Sequence, residues 1–160
     1  MTAIAVVGIG CRLPGDIDSP EALWGALLAG IDFVTDIPQQ RWNADDSYVP
    51  VAGAPGSSVS RWGAFLDDPS GFDHRFFGIG EPEALAMDPQ HRLFLECAWE
   101  ALENAGHTPV AFPGAIGVFA GCGTGTYFNT HLLPNRKLMD SVGFFLLRHT
   151  GNDKDFIATR

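Results

Sequence analysis

Two kinds of apolar pattern alternate along the chain. Residues 4–7 and 116–120 are short, continuous apolar runs, and each leads into a glycine-rich segment. Continuous rather than alternating apolarity is typical of strands that are covered on both faces. We therefore predict buried strands at residues 4–7 and 116–120.

The stretch from Ser19 to Gly30 has the signals of a helix. Ser19 can cap the N-terminus, Pro20 suits the first helical position, and Gly30 can adopt the left-handed conformation that ends a helix. The apolar residues of one helical face are Leu23, Trp24, Leu27 and Leu28.

A second and stronger helix is predicted at residues 88–105. Asp88 is a natural N-cap, Pro89 suits the first turn, and Gly106 ends the helix. Apolar residues recur at helical spacing and predict a buried stripe. The stripe consists of Phe94, Cys97, Ala98, Ala101, Leu102 and Ala105.

The rest of the chain is less regular. We expect ordered loops with short strands over residues 31–82, a mobile loop tip at 52–60, and a helix over 140–149. Asn152 or Asp153 could cap a final helix. Many large apolar side chains in the first of these regions favour order. They are Trp42, Tyr48, Trp62, Phe65, Phe72, Phe76 and Phe77.

The order strand, helix, long insert, helix, strand indicates an α/β fold in a single domain of 160 residues. Ten basic and 19 acidic residues give a net charge of −9, which disfavours charge-driven binding to nucleic acid or to an anionic membrane. We find no secretory signal and no apolar run long enough for a membrane span. Three cysteines form no disulfide framework, so a cytoplasmic protein with reduced thiols is expected.

Neither glycine-rich segment matches a nucleotide-binding motif. Gly8 and Gly10 follow a predicted strand, but Leu13 stands where the dinucleotide fingerprint needs a third small residue, and Pro14 prevents an early helix. Residues 121–126 lack the lysine of a P-loop. Small residues there favour close approach of backbone or of another subunit.

No catalytic constellation emerges from the remaining residue types. Cys11, Cys97 and Cys122 are interpreted as structural, although Cys11 lies beside Arg12 and Cys122 lies in a glycine-rich loop. The histidines show no metal-binding spacing, and His91 is interpreted as structural or partly exposed. The pairs Asp45–Asp46 and Asp67–Asp68 are typical of solvated turns. The other histidines are His74, His107, His131 and His149.

Several segments together resemble the β-ketoacyl synthase domain of type I polyketide synthases, in the same order and spacing. Two positions depart from the family pattern: an acidic residue within 80–84 replaces an arginine, and His91 stands where glutamine is more common. The matching segments are 4–15, 19–24, Pro38 to Trp42 with its Arg-Trp pair, Gly-Ala-Phe-Leu at 63–66, Phe-Asp-x-x-Phe-Phe-Gly-Ile at 72–79, Met-Asp-Pro-Gln-His-Arg-Leu-Phe-Leu-Glu at 87–96, Trp-Glu-Ala-Leu-Glu-x-Ala-Gly at 99–106 and Gly-Val-Phe-Ala-Gly at 117–121.

The resemblance implies that residues 1–160 are the N-terminal portion, incomplete, of a thiolase-like fold with αβαβα layers. Such domains form C–C bonds by decarboxylative Claisen condensation of acyl thioesters, with a cysteine nucleophile and two histidines. It further implies substrates carried on the phosphopantetheine of an acyl carrier protein, other synthase domains as partners, and a homodimer of the full domain. No bound cofactor is expected.

In the family, the nucleophilic cysteine follows the region that resembles residues 151–160, and the histidines come later still. We therefore assign no catalytic, cofactor-binding or metal-binding residue in this sequence. The chain alone is expected to be inactive and to expose apolar surface. The alternative is a non-catalytic partner that complements a chain carrying the missing half. An oxidoreductase is a weaker third hypothesis.

Overall fold

A computed structural model describes residues 3–51, 53–108 and 110–159. These residues form two compact units. The first unit contains residues 3–10, 68–108 and 110–159, and the second contains the described residues between 11 and 67. Each unit is described separately.

In the second unit, helix α1 spans Pro20–Ala29 as the sequence predicts. The Ser19 hydroxyl accepts a hydrogen bond from the Ala22 N–H, and Gly30 ends the helix with φ 63°. The predicted apolar face is largely uncovered within this unit. Trp24, for example, is 62% exposed, whereas Ala26 is buried.

The loops of the second unit are ordered by short pairings, as expected for residues 31–82. Strand β1 (Thr35–Asp36) pairs antiparallel with strand β2 (Trp62–Gly63). A 3₁₀ turn spans Ala44–Asp46, and a bridge joins Tyr48 to Ser58. That bridge holds part of the expected mobile loop tip at 52–60, of which Ala52 lies outside the described residues.

The first unit is helical. Its core is a cluster of buried apolar residues that lies next to the start of helix α3 and consists of Ala86, Phe128, Leu132 and Leu147. The α-helices are α2 (Glu81–Ala86), α3 (Pro89–Asn104) and α4 (Arg136–Val142). Shorter helical segments are π-helical at Phe128–Leu132 and Leu146–Thr150, and 3₁₀ at Lys154–Thr159.

The predicted helix at 88–105 is confirmed by α3, whose first N–H groups are capped by Asp88. Gly106 follows it with φ 69°. The predicted stripe, however, is only half-buried, and the fully buried side chains of α3 are His91 and Arg92. The stripe needs a covering layer, and the described residues cover it only in part.

The two predicted strands are wrong for this structure. Residues 4–7 and 116–120 have no regular secondary structure and belong to no sheet. Ile4 is 93% exposed and Phe119 is 99% exposed, so neither segment is covered on both faces. A strand requires a hydrogen-bonded neighbour, and the described part of the chain places none beside either segment.

Two further predictions are corrected in detail, and the predicted cap at Asp153 is supported. The helix predicted at 140–149 is divided by Gly143, which has φ 87° and ends α4. The last helical segment is preceded by Asp153, whose carboxylate accepts a hydrogen bond from the Asp155 N–H. Helix α2 lies partly in the region predicted to be irregular. Among the described helices, none combines the length and hydropathy that a membrane span requires.

Candidate functional site

The glycine-rich loop of residues 121–126 lies against the N-terminus of α3. The Gly123 N–H donates a hydrogen bond to the Gln90 side-chain oxygen at 3.0 Å. A Cβ on Gly125 would lie 2.5 Å from an Asp88 carboxylate oxygen, so a larger residue there would displace this carboxylate. The close approach is made by a side chain of the same chain, whereas approach of backbone or of another subunit was predicted.

Asp88 holds this region together. Its carboxylate accepts a hydrogen bond from the Gln90 N–H at 2.9 Å, and its own N–H donates to the Gly151 carbonyl at 2.8 Å. The side chain is buried. The residue therefore caps α3 and at the same time ties the helix to the segment that precedes Lys154–Thr159.

His91 and Arg92 are buried next to this cap. An Arg92 guanidinium N–H donates to the Ser70 carbonyl at 3.0 Å, and the guanidinium lies 6.0 Å from the centre of the Tyr127 ring. His91 is 1% exposed, so its interpretation as structural is supported and a partly exposed ring is not. The apolar stripe predicted for this helix contains neither residue, so the sequence did not predict that His91 and Arg92 are buried.

Cys122 is not poised as a nucleophile. Burial raises the pKa of its thiol, and the negative charge of Asp88 raises it further, while Lys154 acts in the opposite direction and Asp153 adds a smaller increase. A raised pKa keeps the thiol protonated at neutral pH. Cys11 and Cys97 are half-buried thiols, and Cys97 lies on α3.

The remaining histidines are dispersed. His74 Nδ1 lies 2.7 Å from the Ile79 carbonyl oxygen, and His149 Nδ1 lies 3.7 Å from the Asp153 carboxylate. The His107 and His131 rings contact Phe112 and Tyr127, respectively. Within the ranges that the structure describes, no three His, Cys, Asp or Glu side chains are grouped to hold a metal ion.

The adjacent carboxylate pairs lie in turns, as predicted. Asp45 lies within a 3₁₀ turn and 3.7 Å from the Arg61 guanidinium. Asp68 accepts hydrogen bonds from the N–H groups of Ser70 and Gly71.

One carboxylate pairing was missed because its partners are distant in sequence. A hydrogen bond to Asp67 and the negative charge of that residue raise the pKa of Asp16. Asp16 is fully exposed and has φ 56°. It therefore lies in an exposed, acidic turn of the second unit with a left-handed backbone conformation.

Gly8 and Gly10 have a packing role. A Cβ on Gly8 would overlap the Ala101 carbonyl oxygen, and one on Gly10 would overlap that of Cys97. The Ile9 N–H donates to the Asn104 side chain at 3.1 Å. The segment therefore lies directly on the α3 backbone, which explains two glycines without a nucleotide.

A cavity of about 310 Å³, here named the loop cavity, opens beside the glycine-rich loop. It brings Arg148 and Lys154, which are remote in sequence, to the loop, and sequence reasoning assigned a role to neither of them. No local spacing could have revealed them. The lining consists of residues 123–125, Phe128, Asn129, Arg148 and residues 152–154.

A second, apolar concavity of about 520 Å³, here named the apolar groove, lies along α3. It is bordered by residues 6–8 on one side and by residues 115–119 on the other. Its floor is formed by small residues of the predicted stripe, including Ala98 and Ala101. This surface matches the expectation that the chain exposes apolar residues.

Comparison with known proteins identifies the sequence family. The family described as "Beta-ketoacyl synthase, N-terminal domain" matches residues 1–160. A mycocerosic acid synthase-like polyketide synthase of Mycolicibacterium smegmatis is 55% identical over 138 residues, which are 86% of this chain and 6% of that protein. A phthioceranic/hydroxyphthioceranic acid synthase of Mycobacterium tuberculosis is 56% identical over 128 residues, 79% of this chain and 6% of that protein.

Solved structures give the same result. An oxazolomycin ketosynthase domain of Streptomyces albus has a TM-score of 0.57 and 37% identity, covering 62% of this chain and 17% of that one. The ketosynthase from module 6 of the bacillaene synthase of Bacillus subtilis has a TM-score of 0.60 and 32% identity, covering 73% and 20%. The predicted thiolase-like fold class is thereby confirmed for the N-terminal part of such a domain.

Proposed function

The chain belongs to the β-ketoacyl synthase family, and from this we propose that its residues form the opening part of a condensing domain of a polyketide synthase. The match of the family over residues 1–160 carries the proposal. The chain spans 6% of the length of these two curated relatives. The activity, substrates and partners of such a complete synthase are therefore proposals for this chain.

In the proposed reaction, a cysteine thiolate attacks an acyl thioester on the phosphopantetheine of a carrier protein. The new bond joins sulfur to the acyl carbon, and the pantetheine leaves as a thiolate that takes a proton from water. A malonyl-type thioester then loses CO₂, and its enolate carbon attacks the acyl carbon. The C–S bond to the enzyme breaks, the C–C bond forms, and the cysteine thiolate is regenerated.

We further propose that the 160 residues contribute scaffold and no catalytic thiol. The raised pKa of Cys122 supports this, because a protonated thiol is a poor nucleophile. The half-buried Cys97 lies on α3 among the apolar residues of the predicted stripe, as a structural cysteine does. The partners in this role are an acyl carrier protein, other synthase domains and, in the complete domain, a second copy.

The apolar groove favours a second candidate function, in which the chain complements a separate chain that carries the rest of a ketosynthase. The groove borders are rich in exposed apolar side chains, such as Val6 and Val118. Surface of this kind is costly to leave in water and typical of an interface. Both candidates predict that the groove is covered in the active assembly.

Acylation measured by intact mass tests the proposal. The purified chain is incubated with an acyl-phosphopantetheine thioester, and we expect adducts at no more than the rate of a free thiol. Co-expression with the remainder of a ketosynthase domain is expected to restore acylation, on a cysteine outside residues 1–160. Rapid labelling of Cys11, Cys97 or Cys122 in the chain alone would contradict the proposal.

A further inference from the structure

A third concavity, here named the α1 groove, lies within the second unit and has a volume of about 280 Å³. It is lined by parts of α1, of the turn at residues 13–17 and of the segment at 31–34, together with Ala64, and every lining residue is apolar. Leu27 and Ile31 in this lining are 63% and 54% exposed. The groove therefore presents apolar surface to solvent, as binding surfaces for partners do.

Contacts within the second unit hold the lining of the α1 groove in place. In the turn, the Leu13 N–H donates to the Ile17 carbonyl at 2.9 Å. A Cβ on Gly15 would overlap the Phe33 ring, so the turn lies directly against the segment at 31–34. A groove that is formed in advance loses little conformational freedom when a partner binds.

Carboxylates adjoin the apolar lining in two places. Asp16 and Asp18 flank a lining residue in the turn, and Asp32 lies between two lining residues of the segment at 31–34. All three side chains are exposed. A hydrogen bond to Asp67 and the charge of that residue raise the pKa of Asp16, and the charge of Asp18 raises it further. These carboxylates repel one another, so a cation beside them would be stabilised.

The second unit contains few cations that could neutralise these charges. Residues 11–67 include eight acidic residues and three basic ones, which are Arg12, Arg41 and Arg61. Arg61 lies 3.3 Å from Asp36 and 3.7 Å from Asp45, and neither of these carboxylates belongs to the lining or to its immediate neighbours in sequence. The surroundings of the groove are therefore acidic.

We propose that the α1 groove binds a basic amphipathic segment of another polypeptide, whose apolar side chains enter the groove while its lysines or arginines contact Asp16, Asp18 and Asp32. The volume of about 280 Å³ lies just below the range of small-molecule sites, about 300–1,000 Å³, and suits a few aliphatic side chains. A second copy of this chain, with its net charge of −9, would be repelled. This inference goes beyond the proposed condensing role and does not depend on it.

Binding is tested with the full chain and a fluorescein-labelled peptide in which leucines form one helical face and lysines the other. We expect saturable binding by fluorescence anisotropy that weakens as salt is added. A peptide of the same composition in scrambled order should bind at least about tenfold more weakly, and the peptide with glutamate in place of lysine should not bind. Equal affinity for the ordered and scrambled peptides would overturn the proposal.

Two adjacent leucines of α1 show whether the peptide occupies this groove. Leu27 lines it and Leu28 does not, although the two side chains are 63% and 72% exposed. Leu27→Ala should weaken peptide binding about tenfold, because an apolar contact is lost, and Leu28→Ala should change it less than about twofold. Far-ultraviolet circular dichroism verifies that both variants keep their helices. Equal effects of the two substitutions would contradict binding in the α1 groove.

A second pair of variants tests the charges. Asp32→Asn removes a carboxylate while retaining an acceptor for the Val34 N–H, which donates to Asp32 at 2.9 Å. It should weaken peptide binding about two- to fivefold at low salt. Asp46→Asn, in the 3₁₀ turn outside the lining, is the matched control and should have a smaller effect. An Asp32→Asn variant that binds as tightly as the original chain would contradict the electrostatic part of the proposal.

Other occupants of the α1 groove give different results in two further measurements. Sedimentation of the chain over a range of concentrations should show no dimer that Leu27→Ala abolishes. Phosphatidylglycerol vesicles should not bind the chain through Leu27, because acidic surroundings disfavour an anionic membrane. A Leu27-dependent dimer would assign the groove to a second copy, Leu27-dependent vesicle binding would assign it to a membrane, and either result would overturn the proposal.

Discussion

The two ends of helix α3 differ in how completely they are packed. At its start, here named the packed end, Asp88 caps the helix, and His91 and Arg92 are buried beside the core cluster. Toward its C-terminus, here named the open end, the stripe from Cys97 to Ala105 is half-buried and bordered by two segments that belong to no sheet. One continuous helix therefore extends from a well-packed core to an apolar surface that is only partly covered.

The two ends differ in what covers them. The packed end lies beside a core formed by the helical segments after the glycine-rich loop, to which Leu132 and Leu147 belong. The open end faces residues 4–8 and 115–119, whose backbone groups have no backbone partner among the described residues. Since unpaired backbone and exposed apolar side chains are both unfavourable, the open end is where we expect a covering layer.

The largest expected effect is at the packed end. Leu132→Ala should destabilise the chain by about 2–5 kcal/mol, because Leu132 is buried in the core cluster. The matched control is Leu133→Ala at the adjacent, 49% exposed position, where we expect less than about 1 kcal/mol. Urea unfolding measures both. Equal losses at the two positions would mean that the core is not where the structure places it.

Gly8→Ala tests whether the segment at residues 4–8 lies on the open end. A Cβ there would overlap the Ala101 carbonyl oxygen, so we expect a loss of about 1–3 kcal/mol in the free energy of unfolding. Gly25→Ala, in α1 with open space around the added carbon, should instead stabilise by about 0.5–1 kcal/mol. A neutral Gly8→Ala variant would show that the segment is detached from α3.

The cap of the packed end is expected to have a smaller effect. Asp88→Ala should cost about 1–2 kcal/mol, because a buried carboxylate that accepts the Gln90 N–H is lost. Ser19→Ala removes the corresponding cap of α1. The hydrogen bond of this cap is longer, at 3.4 Å, and exposed, so its loss should cost about 0.5 kcal/mol. Thermal unfolding compares the two. A larger loss of stability for Ser19→Ala than for Asp88→Ala would contradict the expectation that the Asp88 cap contributes more.

The smallest expected effect is electrostatic. Asp88→Asn removes a negative charge that raises the pKa of Cys122, so that pKa should fall, whereas Lys154→Gln should raise it. Because folding raises this pKa, the contribution of Cys122 to stability is present at low pH and is lost as the pH rises through the folded value. Peptide-resolved alkylation of Cys122 against pH measures both shifts. Shifts of the Cys122 pKa with the same sign in both variants would contradict the opposite effects assigned to Asp88 and Lys154.

Helix ends were predictable from sequence because their signals are local. Ser19, Gly30, Asp88 and Gly106 act within one turn of their own residues, and the structure confirms each. The strands at 4–7 and 116–120 were predicted wrongly, because a strand depends on a pairing neighbour that the local sequence does not specify. Apolarity predicted burial of both segments, but within the described residues no partner strand supplies it.

The candidate site shows the same limit. A close approach to the loop followed from its small residues, although the group that approaches Gly125 is a side chain, and the family followed from motifs in register. Arg148 and Lys154 could not be assigned, because more than twenty residues separate them from the loop and only folding unites them. The Asp16–Asp67 pairing was missed for the same reason.

Residue-resolved hydrogen exchange tests the central claim, that α3 joins a complete core to an uncovered surface. In the chain alone, we expect the amides of residues 5–8 and 116–120 to exchange at nearly unprotected rates, with slower exchange at Ile9, which donates to Asn104. The amides of α3 near Arg92 should be strongly protected. Protection at residues 5–8 and 116–120 equal to that of the core would contradict the claim.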